Sequence, residues 1–202
     1  MGRPFEDREQ HSDTVFEGAN AAAIELAGAQ FRECRFVRCS LGGSTLRACV
    51  FDTCTFEECD LSLVKVPHSS FSATRFVRSK LMGVNWTDAG WSSTRLWTPI
   101  GFKKCVLNHS TFLGMDLRAV SFVECTARDV DFRESDLTDC DLTGTDFAGA
   151  LFGGTNLSGA DLRGATDYAI EPGANTLKGA RFSLPEAMSL LSGLDIEIEG
   201  WE

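Results

Sequence analysis

The chain is 202 residues long and carries a formal net charge of −10. With 43% hydrophobic and 24% charged residues it is neither a long disordered polymer nor a collagen-like or coiled-coil chain. The acidic balance argues against direct binding to nucleic acid, where affinity comes largely from Lys and Arg at phosphates, and in favour of a basic partner.

The first residues, Met1-Gly2-Arg3-Pro4-Phe5-Glu6, lack the apolar stretch of a signal peptide, and no apolar run approaches the roughly 18 residues needed to cross a bilayer. The expectation is a cytoplasmic protein with no membrane role, opening on a flexible segment over residues 1–13. From Phe16 to Leu96 a large apolar residue then returns at every fifth position, with Ala21 the one small exception. Phe31, Phe36, Leu41, Leu46, Phe51 and Phe56 are typical. A single-residue offset falls within residues 97–101, with no long loop inserted. The spacing resumes at Phe102 and runs to Leu162, interrupted by Ala127. The two runs contain 17 and 13 five-residue units, 30 together, and a period of five matches neither the 3.6 of a helix nor the 2.0 of a strand.

A small residue precedes most of these centres by two positions: Cys34, Cys39, Ser44, Cys49, Cys54 and Cys59 in the first run, Cys105, Ser110, Cys125, Ser135, Cys140 and Thr145 in the second. Both positions must point inward, so each unit forms one short side of a coil with a large and a small residue toward the axis. All eight cysteines occupy the small position and read as buried packing residues. No C-x-x-C occurs, and neighbours five apart lie on different sides, which argues against a zinc site or a disulfide framework. The 15 phenylalanines against one tyrosine fit an interior that needs no polar handle. His11, His68 and His109 are scattered and read as surface residues. Neither nucleotide-binding nor hydrolase motifs appear, and no catalytic residue, cofactor or metal is expected. Trp86 and Trp91, immediately before the offset, are large for a narrow coil and mark a distorted corner or small projection around residues 96–101.

The rhythm lapses after Ala165 and returns at Leu177 and Phe182, giving a final irregular turn. Ser183-Leu184-Pro185-Glu186 has the form of a capping box with proline early in the helix. It predicts a short helix with Leu184, Ala187, Met188, Leu191 and Leu194 on one face, followed by a strand over residues 195–199. Residues 183–202 would thus cap the coil of residues 14–182. The apolar residues Leu184, Met188, Leu190, Leu191, Leu194, Ile196 and Ile198 are the expected interface of a tail-to-tail homodimer.

Charge is unevenly placed. Residues 1–101 carry 11 basic and 12 acidic side chains, residues 102–167 carry 6 and 11, and residues 168–202 carry 2 and 6. Ala160-Asp161-Leu162-Arg163-Gly164 resembles the consensus of the pentapeptide repeat family, which implies four units per turn and so a stacking of residues twenty apart, with Asp116, Asp136 and Asn156 in one column and Asp141 and Asp161 in another. Asp131, Asp139, Asp146 and Glu134 fall in the same region, and Asp116, Asp131, Asp136, Asp139, Asp141, Asp146 and Asp161 are the candidate partner-binding surface. Local hydrogen bonding by Asp just before each centre is the alternative reading of the same residues.

The same resemblance, to the family's A(D/N)LXX consensus, implies an all-β fold, a right-handed quadrilateral β-helix of seven to eight turns. The segments Leu61-Ser62-Leu63-Val64-Lys65-Val66-Pro67, Arg75-Phe76-Val77-Arg78-Ser79-Lys80-Leu81 and Ala180-Arg181-Phe182-Ser183-Leu184-Pro185 are similar to those of the Qnr-type quinolone-resistance and albicidin self-immunity proteins. That likeness implies a dimeric rod that mimics DNA and interacts with DNA gyrase, giving resistance or self-immunity to a gyrase-targeting antibiotic or toxin. The absence of a long loop points to a natural toxin over a quinolone. A generic interaction scaffold with no topoisomerase role is the alternative.

Overall fold

The computed structural model describes residues 5–90, 100–192, 194 and 196. Its sides are short parallel strands and single β-bridges, stacked turn on turn into a right-handed quadrilateral β-helix. One side can be followed from Val15 through Arg35, Thr55, Arg75, Gly101, Ser121, Asp141 and Asp161 to Arg181, each in register with the next. Eight steps thus separate its first and last levels.

The five-residue unit explains the square section. The large residue and the one two before it point inward, and the residue two after it makes the corner. Corner residues take the left-handed conformation whatever their type: Glu33, Arg38, Gly43 and Ala48, around one turn, have φ of 55°, 51°, 69° and 50°. That conformation is sterically costly for an L-residue. The backbone bonds each corner completes offset the cost, as when Arg38 N donates to Glu57 O (2.9 Å) and Arg35 N to Thr14 O (2.9 Å).

Inside, the large residues stack into ladders. Phe16, Phe36, Phe56, Phe76, Phe102 and Phe122 lie nearly parallel with centroids 4.4–5.2 Å apart. Trp86, Phe112, Phe132 and Phe152 form a second ladder. Trp86 is buried and stacked on Phe112 at 5.8 Å, and a three-residue 3-10 turn, Trp86–Asp88, follows the inward ring. Trp91 and the offset itself lie outside the described residues.

The small inward position does more than pack. Ser69 Oγ donates to Leu46 O (2.8 Å) and accepts from Cys49 N (2.8 Å), joining two backbone groups of the preceding turn. Thr145 does the same between Phe122 O and Cys125 N. Cysteine thiols donate to the equivalent carbonyls: Cys39 to Phe16, Cys54 to Phe31, Cys140 to Leu117. Ser, Thr and Cys therefore alternate at this position because each brings a short-armed donor to the same oxygen.

Four expectations change. The coil starts within the segment expected to be flexible: Phe5 is 2% exposed and plugs the first turn, and Gln10–Ser12 pair with Gln30–Arg32. His11 is no surface residue, because its ring takes a large inward position, stacked on Phe31 at 5.2 Å and only 17% exposed. The single-residue offset is the remainder of a longer insertion. Phe76 pairs with Phe102, 26 residues on, where other turns take 20, so the turn gains six residues and the rhythm slips by one. Gly90 N still donates to Ser69 O across 21 residues, as Ser70 N does to Cys49 O, which places the extra residues between Gly90 and Gly101.

The fourth change is the cap. Residues Glu186–Leu191 form a 3-10 helix preceded by Pro185, with no side-chain cap. Ser183 Oγ instead accepts from Gly164 N (2.8 Å), because Ser183 still belongs to the coil and serves the ladder of the turn below. The tighter winding breaks the expected single apolar face: Leu190 packs on the core while Leu184 is 75% exposed. Most of the expected strand over 195–199, with Ile198, lies outside the described residues.

Candidate functional site: the acidic surface

The stacked columns form as the spacing implies. Asp116 bridges Asp136, which bridges Asn156, and Asp141 bridges Asp161. These columns do not make one surface. Asp116 and Asp136 lie on one side of the rod, Asp141 and Asp161 on the next, and Asp146 and Asp131 on the two remaining sides, in register with Thr126 and Thr111.

Each of these six aspartates precedes its large residue and bends back over it. The carboxylate accepts from the backbone N–H two residues on: Asp116 from Arg118, Asp131 from Arg133, Asp136 from Thr138, Asp141 from Thr143, Asp146 from Ala148 and Asp161 from Arg163. This Asx turn starts the corner immediately after the inward residue. It accounts for why these sides are single bridges and not three-residue strands.

Much of the charge is also compensated. Arg118, Arg133 and Arg163 fold back onto Asp116, Asp131 and Asp161 of their own units. Arg181 adds a second contact to Asp161 (2.9 Å), and Arg128 holds Asp146 (2.7 Å). The sequence reading missed these arginines, although the D-L-R and D-F-R spacing was visible: two residues on from an outward Asp is the nearest reach for a guanidinium. The Arg133 and Arg163 hydrogen bonds hold Asp131 and Asp161 below the usual carboxylate range. For Asp146, burial pushes upward, but the Ala148 amide and Arg128 together leave it lowered.

A carboxylate with a depressed folded-state pKa contributes stability that is complete above its unfolded pKa, about 3.9 for Asp, and lost as pH falls through the folded value. The melting temperature should therefore stay level from neutral pH down to about 5 and fall below about 4. Asp161→Asn should flatten that acid limb in thermal melts between pH 2 and 7. An unchanged limb in the variant would remove Asp161 from the account.

Asp139 is different in kind. It sits at a corner with φ 57°, and its level carries Glu124, Asp129 and Glu134 at the other three corners. Glu124 pairs with Lys104 (3.2 Å) and Asp129 faces His109 (3.6 Å). The next level has Gly144, Gly149, Gly154 and Gly159 at its corners. A Cβ at Gly149 or Gly159 would lie 2.4 or 2.2 Å from an Asp129 or Asp139 oxygen, so glycine there gives the carboxylates room. Among the described residues no arginine hydrogen bond reaches Glu134 or Asp139 at their corners or Asp141 on its side, and of the two corner residues only Asp139 is among the binding candidates.

Of the expected dimer residues, Leu184, Leu194 and Ile196 are exposed, and Met188, Leu190 and Leu191 are half-buried. Among the described residues no group of three or more His, Cys, Asp and Glu side chains could hold a metal ion, and no helix is long and apolar enough to cross a membrane.

A family model described as a pentapeptide repeat region matches residues 29–98 and 98–162. The chain belongs to the pentapeptide repeat family. No curated protein sequence matches this pentapeptide repeat protein. Among solved structures, trypsin-treated QnrB1, a plasmid-mediated fluoroquinolone resistance protein, superposes with a TM-score of 0.67 at 17% identity, covering 99% of this chain and 96% of that one. Full-length QnrB1 gives 0.54 at 18% identity, covering 93% and 100%. HetL, a pentapeptide repeat protein involved in heterocyst differentiation regulation from the cyanobacterium Nostoc sp. strain PCC 7120, gives 0.52 at 15% identity, covering 89% and 86%. At such identities the likeness is one of fold.

Proposed function

We propose that this pentapeptide repeat protein is a cytoplasmic, DNA-mimicking rod that occupies the basic DNA-binding groove of DNA gyrase and protects it from an inhibitor. The observation that carries the reading is the near end-to-end likeness to QnrB1, combined with an acidic excess that lies almost entirely in residues 102–202. Complementary potentials would steer the rod into a groove built for phosphates. The corner carboxylates at Glu134 and Asp139 supply that field, since they are not consumed by Asx turns. A tail-to-tail dimer through Leu184, Leu194 and Ile196 would bring two acidic halves together. The six extra residues after Gly90 remove the reason for preferring a natural toxin over a quinolone, so both belong in the test.

The experiment is gyrase supercoiling and cleavage with a quinolone or albicidin, with and without the protein, at several salt concentrations, alongside sedimentation of the protein alone. Supercoiling should be restored, and added salt should weaken the rescue. Glu134→Lys with Asp139→Lys should raise the concentration needed by about tenfold, the effect of some 1.4 kcal/mol. No rescue at any ratio would leave a scaffold with a different partner, and a monomer at micromolar concentration would remove the dimer.

A further inference from the structure

Cysteines five apart face different sides, but cysteines twenty apart share one. A single inward column reads Cys39, Cys59, Ser79, Cys105, Cys125, Thr145, beside the bridged series Ser40, Asp60, Lys80, Val106, Thr126, Asp146. Two thiol pairs therefore sit on adjacent turns with one hydroxyl between them and another beyond.

The strands carrying each pair are hydrogen-bonded directly at the cysteines: Asp60 N donates to Cys39 O and Thr126 N to Cys105 O, both at 2.9 Å. Parallel neighbours lie about 4.8 Å apart, inside the Cα range a disulfide spans, while the Cβ separation is slightly wide for an unstrained one. Cys39 N also donates to Cys59 Sγ at 3.4 Å, which brings the second sulfur up against the first residue's backbone.

We propose that Cys39 with Cys59, and Cys105 with Cys125, are sites of reversible disulfide formation by hydroperoxides, each bridge tying one turn of the rod to the next. Within each pair the earlier thiol titrates low and the later one high. The Cys59 hydrogen bond brings Cys39 down to about 7 against the opposing effect of burial, and Cys125 lowers Cys105 in the same way. Their partners move up for the same reason. The low member is the more readily ionised of the two, and its thiolate form attacks the peroxide oxygen. The O–O bond breaks, an alcohol or water leaves, and the sulfur becomes a sulfenic acid. The partner sulfur then attacks it, the S–O bond breaks, and water departs with the second thiol proton. Two thiols and one hydroperoxide thus give one disulfide, one alcohol and one water.

Cys34 and Cys54 provide an internal contrast. They are also twenty apart and in register, with Thr55 N donating to Cys34 O at 2.9 Å, but burial, and behind it the charge of Cys34, push Cys54 up to about 12. All three pairs are buried, Cys105 to the same 1% exposure as Cys54, so exposure does not distinguish them and the contrast lies in the contacts of the sulfurs.

The test is to treat the reduced full-length protein with hydrogen peroxide, quench, and map tryptic peptides by mass. Wild type should lose about 2 Da per bridge and yield peptides joining Cys39 to Cys59 and Cys105 to Cys125, reversed by dithiothreitol. Its melting temperature should rise by about 5 °C per bridge. Cys59→Ser with Cys125→Ser keeps a hydrogen-bond donor at each position, as Ser79 does, and should remain folded by circular dichroism yet gain no cross-link and no thermal shift. Bridges forming first between Cys34 and Cys54, bridges between chains, oxygen addition without linkage, or no mass change under peroxide that oxidises a control thiol peptide would each overturn the proposal.

Discussion

Phe112→Ala is expected to lower the unfolding free energy by about 3–5 kcal/mol, the range for removing a buried aromatic from a core that cannot collapse. Phe112 is fully buried, stacked between Trp86 at 5.8 Å and Phe132 at 5.4 Å and edge-on to Phe122 at 5.3 Å. Hydrogen bonds along both neighbouring turns fix the backbone around it, so the ladder cannot close over the gap. Phe112→Leu should cost less than about 1.5 kcal/mol, since leucine fills the same position at Leu46 on this side. Because each turn of a solenoid contacts only its neighbours, hydrogen exchange in the alanine variant should accelerate most in the turns flanking Phe112. Uniform acceleration from end to end would show that the rod unfolds as one body.

Ser69→Ala is expected to cost about 2–4 kcal/mol, well beyond the packing value of one hydroxyl, because it strands two buried groups, Leu46 O and Cys49 N, at about 1–3 kcal/mol each. Both bonds to Ser69 Oγ measure 2.8 Å and no solvent reaches the site. Ser69→Cys should recover much of the loss, as Cys59 performs the same pair of contacts between Phe36 O and Cys39 N. Denaturant titration of the three proteins decides it. Equal stability of the alanine and cysteine variants would mean that the inward donor is dispensable.

The large-and-small rhythm carried most of the fold, because a coil of five-residue sides leaves its two inward positions little freedom of size. Phe36, Leu41, Leu46 and Phe51 fill successive sides as their spacing implies, and Phe56 returns to the side of Phe36. What escaped the sequence did so for identifiable reasons. A period reveals length only modulo five, so a 26-residue turn and a single slipped residue look alike. His11 hides because its ring can replace phenylalanine in a stack. Ser183 and Glu186 spell a capping box, but the coil claims Ser183 first. The aspartate columns were legible as positions, while their electrostatic value depended on which neighbours fold back: Arg163 onto Asp161, Thr143 onto Asp141.

The inter-turn bonds also set how the molecule would respond to force. They run along the rod's axis, so a pull on its two ends loads them in series and opens the weakest turn alone, without shearing a whole sheet at once. Each released turn of twenty residues would pay out about 70 Å of slack, giving a low, evenly spaced sawtooth in place of a single rupture.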